Sequence, residues 1–137
     1  MFLLGAVGGG GILLNSNEIL ELSYSLGIGE DTNNIEEALA LWKGLYQAKA
    51  MNITEINVFG DSWIVIQDLI TNRHPNNMRL EKIHKKIKFL MKSFHNIKIF
   101  HNLCELNREV DKVANETIPL DKGTLNLNGN NQPFTLP

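Results

Sequence analysis

The spacing of apolar positions changes along the chain and separates segments that form strands from segments that form helices. Short apolar stretches bounded by turn residues predict strands at 7–14 and 18–26, joined by the polar turn NSNE, and further strands at 54–60 and about 97–101. Apolar residues spaced by three and four predict helices. The first predicted helix is capped by Asp31, Thr32 or Asn33 and ends near Ala50, and the others cover about 62–72, 78–93 and 106–118.

The order of these elements predicts an α/β fold with a mixed sheet. The length of 137 residues suits one domain. We expect this domain at 1–118, because the Asn-rich segment 119–137 has neither an apolar period nor core residues and is typical of a flexible tail. No apolar run approaches the roughly 18–20 residues of a membrane span, so no membrane partner is expected. The sequence does not determine the oligomeric state, for which a monomer is the expectation.

The amino-terminal stretch MFLLGAVGGGGILL is apolar, but it carries no basic residue before the apolar run and is interrupted by consecutive glycines. A secretory signal peptide is therefore not predicted. Cys104 is the single cysteine of the sequence and has no partner for a disulfide or a zinc site. These features favour an intracellular protein, either cytoplasmic or nuclear.

Charge is distributed unevenly, although the net charge is only -2. Residues 18–68 hold nine acidic residues against two lysines, whereas residues 73–98 hold eight basic residues against Glu81 alone. The basic residues fall mostly on the predicted helix 78–93. Such a cluster either forms a solvated helical face or attracts a phosphate backbone, and charge alone leaves both interpretations open.

Two adjacent acids open the first predicted helix, and its period separates them. Glu36 shares a face with polar Lys43, whereas Glu37 lies in line with Leu41 and Leu45. The period therefore directs Glu36 to water and Glu37 toward the sheet. Burying a lone carboxylate costs several kcal/mol unless something compensates, so we expect a positive group to meet Glu37.

Two further acids stand where a site could form. Asp61 directly follows the predicted strand INVFG, and Asp111 lies beside the inner face of the last predicted helix. The alternatives are a helix cap for Asp61 and an acid at the edge of the core for Asp111. If the three acids converge, they repel by about 4 kcal/mol per pair at 4 Å, so a cation is needed, and carboxylate ligands suit Mg²⁺, or Mn²⁺ in its place.

Three stretches resemble the type 1 ribonuclease H domain, especially the reverse-transcriptase-like version found in plant and retroelement sequences. These stretches are TNNIEEALALWKGLYQAKAMNI, INVFGDSWIVIQDL and IFHNLCELNREVDKVAN, and with the glycine-rich hairpin they extend to about residue 118. The resemblance implies a three-layer fold in which helices flank a mixed sheet. It also implies metal-dependent endonucleolytic cleavage of the RNA strand of an RNA/DNA hybrid, leaving a 3′ hydroxyl and a 5′ phosphate.

The resemblance assigns roles to particular residues. Glu37, Asp61 and Asp111 match the metal-binding acids, and His101 matches a histidine that assists proton transfer or product release. The predicted nucleic-acid-binding residues include the matched Asn33 and Asn34 at the helix start and Asn107, which would hold a metal-bound water or its neighbour. If the substrate is a hybrid, the basic helix would flank its groove and bind phosphates through Lys82, Lys85 and Lys86. Without the resemblance, His101 has a structural interpretation, and Asn33 and Asn34 are helix-capping residues.

One acid of the family has no counterpart in this sequence. The family carries an aspartate on its first strand in a segment like Asp-Gly-Ala, whereas this chain has no acid before Glu18. We therefore predict that the first central strand is missing, with MFLLGA at most a partial replacement. Because the absent aspartate bridges both ions, weak activity or none is expected, and a catalytically inactive domain that binds nucleic acid is the alternative. A structural remnant that uses none of the acids is a third interpretation.

Overall fold

A seven-stranded mixed sheet organises the part of the chain that the structure describes. The structure is a computed structural model, and it describes residues 1–29, 32–71, 73, 75–101 and 120–137. The strands are β1 (Phe2–Val7), β2 (Gly10–Leu14), β3 (Leu20–Leu26), β4 (Glu55–Gly60), β5 (Asn96–His101), β6 (Thr124–Leu127) and β7 (Asn130–Pro133). The helices are α1 (Asn33–Ala50), α2 (Trp63–Thr71) and α3 (Met78–Met91).

The strand order is β5-β4-β1-β2-β3-β6-β7. Strands β1, β4 and β5 run parallel to one another, and the remaining pairs are antiparallel. The predicted α/β fold with a mixed sheet is confirmed. The predicted helix 106–118 and Cys104 lie outside the described residues. Within the described ranges, no helix has both the length and the apolar character needed to cross a membrane.

The first strand is present, so the prediction that it is missing is wrong. Strand β1 lies in the centre of the sheet between β4 and β2, with Leu4 paired to Val58 and to Leu13. A strand buried on both faces forms from a continuous apolar run, which is what FLLGAV supplies. The predicted strand 7–14 is divided because Gly8, at a φ of 55°, opens a two-residue turn that joins β1 to β2.

Helix α1 packs closely on β1 and β2 because a glycine faces the sheet. A Cβ at Gly44 would lie 2.6 Å from a methyl carbon of Leu4 and 2.5 Å from the Tyr24 hydroxyl. The Tyr24 hydroxyl donates a hydrogen bond of 2.6 Å to the Ala40 carbonyl. This approach buries most of α1, including Leu39, Leu41 and Leu45.

The carboxyl-terminal residues extend the sheet, in contrast to the predicted flexible tail at 119–137. Strand β6 pairs with β3 through partners such as Leu26 and Leu125, and β7 closes a hairpin on β6. Leu125 is 3% exposed, so the segment reaches the core through one buried leucine. The apolar pattern missed these strands because backbone pairing to the edge of β3, which needs no apolar period, holds them in place.

Helix α3 buries a histidine on its inner face. His84 is 1% exposed, and among the described residues neither of its ring nitrogens has a hydrogen-bond partner. Burial lowers the pKa of His84 to about 4, because desolvation disfavours the imidazolium, and the charge of nearby Asp68 offsets this only in part. The folded state therefore holds His84 uncharged.

Because His84 is buried, we expect the free energy of unfolding to fall at acid pH. A substitution of His84 by a residue that does not titrate should remove this effect. The folded-state pKa lies below the unfolded value of 6.5, so the contribution of His84 is complete above pH 6.5 and is lost as the pH falls toward 4. At pH 5 the loss is about 2 kcal/mol. We expect His84→Leu to be more stable relative to the wild type at pH 5 than at pH 7.5, measured by urea unfolding.

The control is Ile87→Leu, which alters the same buried face without a titratable group. Its effect on the free energy of unfolding should be equal at the two pH values. A His84→Leu effect that is also independent of pH contradicts the assignment.

Candidate active site

Glu37 is buried on the second turn of α1, as its position in the helical period predicts. It is 2% exposed, whereas Glu36 is half-buried. One carboxylate oxygen, Oε1, accepts a hydrogen bond of 2.6 Å from the backbone N–H of Asp61. The other, Oε2, accepts a bond of 2.8 Å from the N–H of Ser62.

The positive group that meets Glu37 is the amino end of a helix rather than a cationic side chain. Asp61 and Ser62 immediately precede α2, which begins at Trp63. The first N–H groups of a helix lack intrahelical partners and carry partial positive charge, so they compensate a buried carboxylate. Glu37 therefore joins α1 to the junction between β4 and α2.

Compensation of the Glu37 charge is incomplete. Burial raises the pKa of Glu37 to about 7 because desolvation outweighs the two backbone hydrogen bonds. The neighbouring Asp61 charge raises it further, and His101 lowers it. The carboxyl group consequently changes charge near neutral pH.

Asp61 lies at the carboxyl end of β4, and its side chain is exposed. The alternative that Asp61 caps α2 is not borne out, because Ser62 fills that role. Its hydroxyl accepts a 3.4 Å hydrogen bond from the Val65 N–H, and its carbonyl accepts a 3.0 Å bond from the Ile66 N–H. The Asp61 carboxylate is left at the rim of the sheet beside Glu37.

His101 ends β5 beside this rim. Its Nε2 donates a hydrogen bond of 3.1 Å to the backbone carbonyl of Asp61. The ring also meets the edge of Trp63, with ring centroids 5.1 Å apart. Parallel pairing of β4 and β5 sets Gly60 opposite His101, so the histidine lies next to Asp61 although the two are distant in sequence.

The predicted nucleic-acid-binding residues occupy two places. Asn34 accepts a 2.6 Å hydrogen bond from the Ser62 hydroxyl and belongs to the same cluster as Glu37. Asn33 is exposed in the first turn of α1, and Thr32 is the N-cap of that helix, which replaces the capping interpretation of both asparagines. The lysines of this set, Lys82, Lys85 and Lys86, are exposed along α3, outside the cluster.

The described side chains of this site carry the type of ligand atom that a hard divalent cation binds. Glu37 and Asp61 offer carboxylate oxygens, which Mg²⁺ prefers, and each oxygen of Glu37 keeps a second lone-pair position. A Cβ at Gly60 would clash with the Ile66 side chain and lie 3.5 Å from Oε2 of Glu37, so the glycine lets α2 pack against the end of β4 beside this carboxylate. Across the described ranges, no three His, Cys, Asp or Glu side chains form a metal-binding group. The remaining predicted residues, Asp111 and Asn107, lie outside those ranges.

Ala6 lies on β1 opposite Gly60, the residue that precedes Asp61, and sequence reasoning did not identify it. It pairs with Gly60, is fully buried, and lies two residues after Leu4, whose side chain contacts α1. Its methyl group therefore points toward Glu37 from the central strand. Its apolar type offered no signal, because only the strand register identifies the position.

The central parallel strands, with acids from α1 and β4 at their carboxyl ends, define a ribonuclease H-like domain. The model of the family described as reverse transcriptase-like matches residues 4–117, and the chain belongs to that family. No curated protein sequence matches the chain. The plant and retroelement origin suggested by the resemblance stays a prediction.

Solved ribonuclease H structures share the fold. RNase H1 from the halophilic archaeon Halobacterium salinarum is 24% identical with a TM-score of 0.75, covering 84% of this chain and 95% of that one. The N-terminal RNase H domain of rv2228c from Mycobacterium tuberculosis is 23% identical with a TM-score of 0.77, covering 84% and 91%. LC11-RNase H1, solved in complex with an RNA/DNA hybrid, is 22% identical with a TM-score of 0.75, covering 86% and 96%. At these identities, the similarity establishes the fold alone.

The backbone contacts of Glu37 predict different effects for two substitutions. Glu37→Ala leaves two partly buried N–H groups without an acceptor and should lower the free energy of unfolding by about 2 kcal/mol. Glu37→Gln keeps one acceptor and removes the buried charge, so at pH 8 it should cost much less. Urea unfolding of both variants measures the difference.

Glu55→Ala, at the exposed start of β4, is the control for removal of an acid. Its effect should stay within about 0.5 kcal/mol. Equal losses for the two Glu37 variants would show that the backbone bonds do not stabilise the fold.

Proposed function

We propose that this chain is a ribonuclease H-type endonuclease that acts on the RNA strand of RNA/DNA hybrids. The observation that carries the proposal is the contact between the Glu37 carboxylate and the Asp61 amide, which unites acids from α1 and β4 at one rim. The fold shared with LC11-RNase H1, which was solved with an RNA/DNA hybrid, supports the same substrate.

In this proposal Glu37, Asp61 and Asp111 hold Mg²⁺, or Mn²⁺ in its place. The bound cation would stabilise negative charge on the phosphate and lower the pKa of attacking water. His101, fixed by the Asp61 carbonyl, holds a proton on Nε2 at the rim and assists its transfer. Asn33, Asn34 and Asn107 contact the hybrid, and Lys82, Lys85 and Lys86 bind its phosphates in a salt-dependent manner.

A second candidate function is hybrid binding without cleavage. The observation that favours it is Ala6, because β1 presents a methyl group where it faces Glu37 and Asp61. With fewer carboxylates, cation affinity falls, and the raised pKa of Glu37 leaves part of the population uncharged at neutral pH. The two candidates share a substrate and differ in turnover.

Cleavage and binding assays with one hybrid distinguish these candidates. If the chain is a nuclease, it cuts the RNA strand in Mg²⁺, and Glu37→Gln abolishes cutting while hybrid affinity changes less than about threefold. Both candidates predict a salt-dependent hybrid affinity. Replacing Lys82, Lys85 and Lys86 with Gln should reduce the magnitude of the slope of log K against log salt concentration by up to about 2.7, because each phosphate contact contributes about 0.9 to that slope.

Binding without cutting establishes the second candidate. The absence of any salt-dependent hybrid binding contradicts both candidates and leaves a structural domain. Lys49→Gln, at the far end of α1, is the control for loss of one exposed positive charge.

Ala6→Asp should increase activity by placing a carboxylate in β1 beside the existing acids. Without a cation, the buried charge should destabilise the fold by several kcal/mol. Added Mg²⁺ should restore about 3 kcal/mol at a hundredfold excess over its Kd, because it binds only the folded state. Thermal unfolding with and without Mg²⁺, together with the cleavage rate, measures both effects.

Ala6→Asn is the matched control, since it has nearly the same shape without the charge. It should show neither the Mg²⁺-dependent stabilisation nor faster cleavage. Equal responses of the two variants would mean that Ala6 does not face the cation site.

A further inference from the structure

A polar cavity lies beside the site, and neither Glu37 nor Asp61 lines it. It has a volume of about 420 Å³ and opens between the start of α1, one side of α2 and the segment before α3. This volume falls within the range of small-molecule sites, about 300–1,000 Å³. Its polar lining includes Asn34, Gln67, Asp68, Arg73, Asn76 and Asn77.

Asp68 is the feature of this cavity that calls for an explanation. It is 8% exposed, and within the described part of the chain no hydrogen bond or ion pair to its carboxylate is present. It also lies in the last turns of α2, which ends at Thr71, where the helix dipole disfavours negative charge. A buried carboxylate in this setting is costly unless donors reach it from the cavity.

Two neighbours do not satisfy Asp68. His84 lies nearby, but burial lowers its pKa to about 4, so the imidazole is uncharged at neutral pH. Arg73 lines the same cavity and donates its backbone N–H to the carbonyl of Asp68, yet among the described residues no ion pair joins the two side chains. The cavity therefore presents an acceptor for N–H donors and a separate cation.

We infer that this cavity binds a guanine nucleotide. The Watson–Crick edge of guanine carries adjacent N–H donors, at N1 and the 2-amino group, that match the two oxygens of one carboxylate. A phosphate on the same ligand meets the Arg73 guanidinium. Adenine and cytosine offer a single exocyclic amine on that edge, and a bare metal ion would find one carboxylate where it needs several oxygens.

The guanine has two chemically equivalent sources. One is a free guanine nucleotide, and the other is an unpaired guanosine in a nucleic-acid strand. Asn34 borders this cavity and also bonds to Ser62 beside Glu37, so an unpaired residue of a strand at that site lies within reach of Asp68. Binding of the free nucleotide does not rest on the proposed nuclease function.

Calorimetric titration of the full chain with GMP, IMP and AMP tests the inference. GMP should bind, IMP should bind more weakly because it lacks the 2-amino group, and AMP should bind weakest. Asp68→Asn should weaken GMP binding by about 10- to 100-fold, the factor expected for loss of a paired base contact. Arg73→Gln should weaken binding of GMP but leave binding of guanosine unchanged.

Stability of Asp68→Asn provides a second measurement. Because the substitution removes a buried charge that has no partner among the described residues, the melting temperature of the variant without ligand should equal or exceed that of the wild type. A lower melting temperature means that the carboxylate has a structural partner, and it overturns the inference. Glu55→Gln, at an exposed position on β4, is the matched control and should bind GMP as the wild type does.

RNA hairpins with a single unpaired 3′ guanosine or adenosine distinguish the two sources. Binding of GMP identifies the free nucleotide as sufficient, whereas preference for the guanosine hairpin without GMP binding identifies the strand. The inference is overturned if guanine and adenine ligands bind equally well, both as free nucleotides and as hairpin ends. It is also overturned if neither the nucleotides nor the hairpins bind. A fully paired blunt hybrid is titrated in parallel, so failure of the proposed function appears separately.

Discussion

The hydrogen bonds from the amino end of α2 to the buried Glu37 carboxylate determine how the rest of the rim is arranged. They fix α1 against the junction of β4 and α2, and they place the exposed Asp61 directly beside a buried acid. Two further contacts converge on this junction: the Ser62 hydroxyl holds Asn34, and the Asp61 carbonyl holds His101. One carboxylate thereby organises groups from four elements of the fold.

The fold and the site require different properties of the central strand β1. Strand β1 needs only apolar residues in register with β4 and β2, and Phe2–Val7 meets that need. The site needs one particular side chain at the position that faces Glu37, where this chain has Ala6. Membership of the reverse transcriptase-like family and a ribonuclease H-like fold therefore do not decide turnover, because function depends on the site rather than on the architecture.

Two buried carboxylates, those of Glu37 and Asp68, differ in their hydrogen-bond partners. Glu37 receives two backbone N–H groups within the fold, so its burial is compensated in part. Asp68 faces a cavity, and among the described residues no donor reaches its side chain. A carboxylate that accepts hydrogen bonds from the protein stabilises the fold and also contributes to the site. A buried carboxylate that faces a cavity instead indicates a ligand that donates the hydrogen bonds.

Much of the fold followed from local pattern. Helical period directed Glu37 inward, amphipathic spacing located α3, and the turn NSNE located the hairpin of β2 and β3, although the turn at Gly8 and Gly9 makes its first strand shorter than predicted. Local pattern failed for β1, since a short apolar run has no period, and for β6 and β7, which rely on pairing to β3 and on one buried leucine. The resemblance supplied the candidate site residues; contacts join Glu37, Asp61, Asn34 and His101 at one rim of the sheet, and their roles stay predictions.

Sequence by itself determined which side chains are available and which face of each predicted helix is apolar, because these depend on neighbours along the chain. Tertiary structure alone decided that the partner of Glu37 is a helix end, that Ala6 faces the acids, and that Asp68 opens into a cavity. Each of these depends on strand register and helix packing, which join residues far apart in sequence.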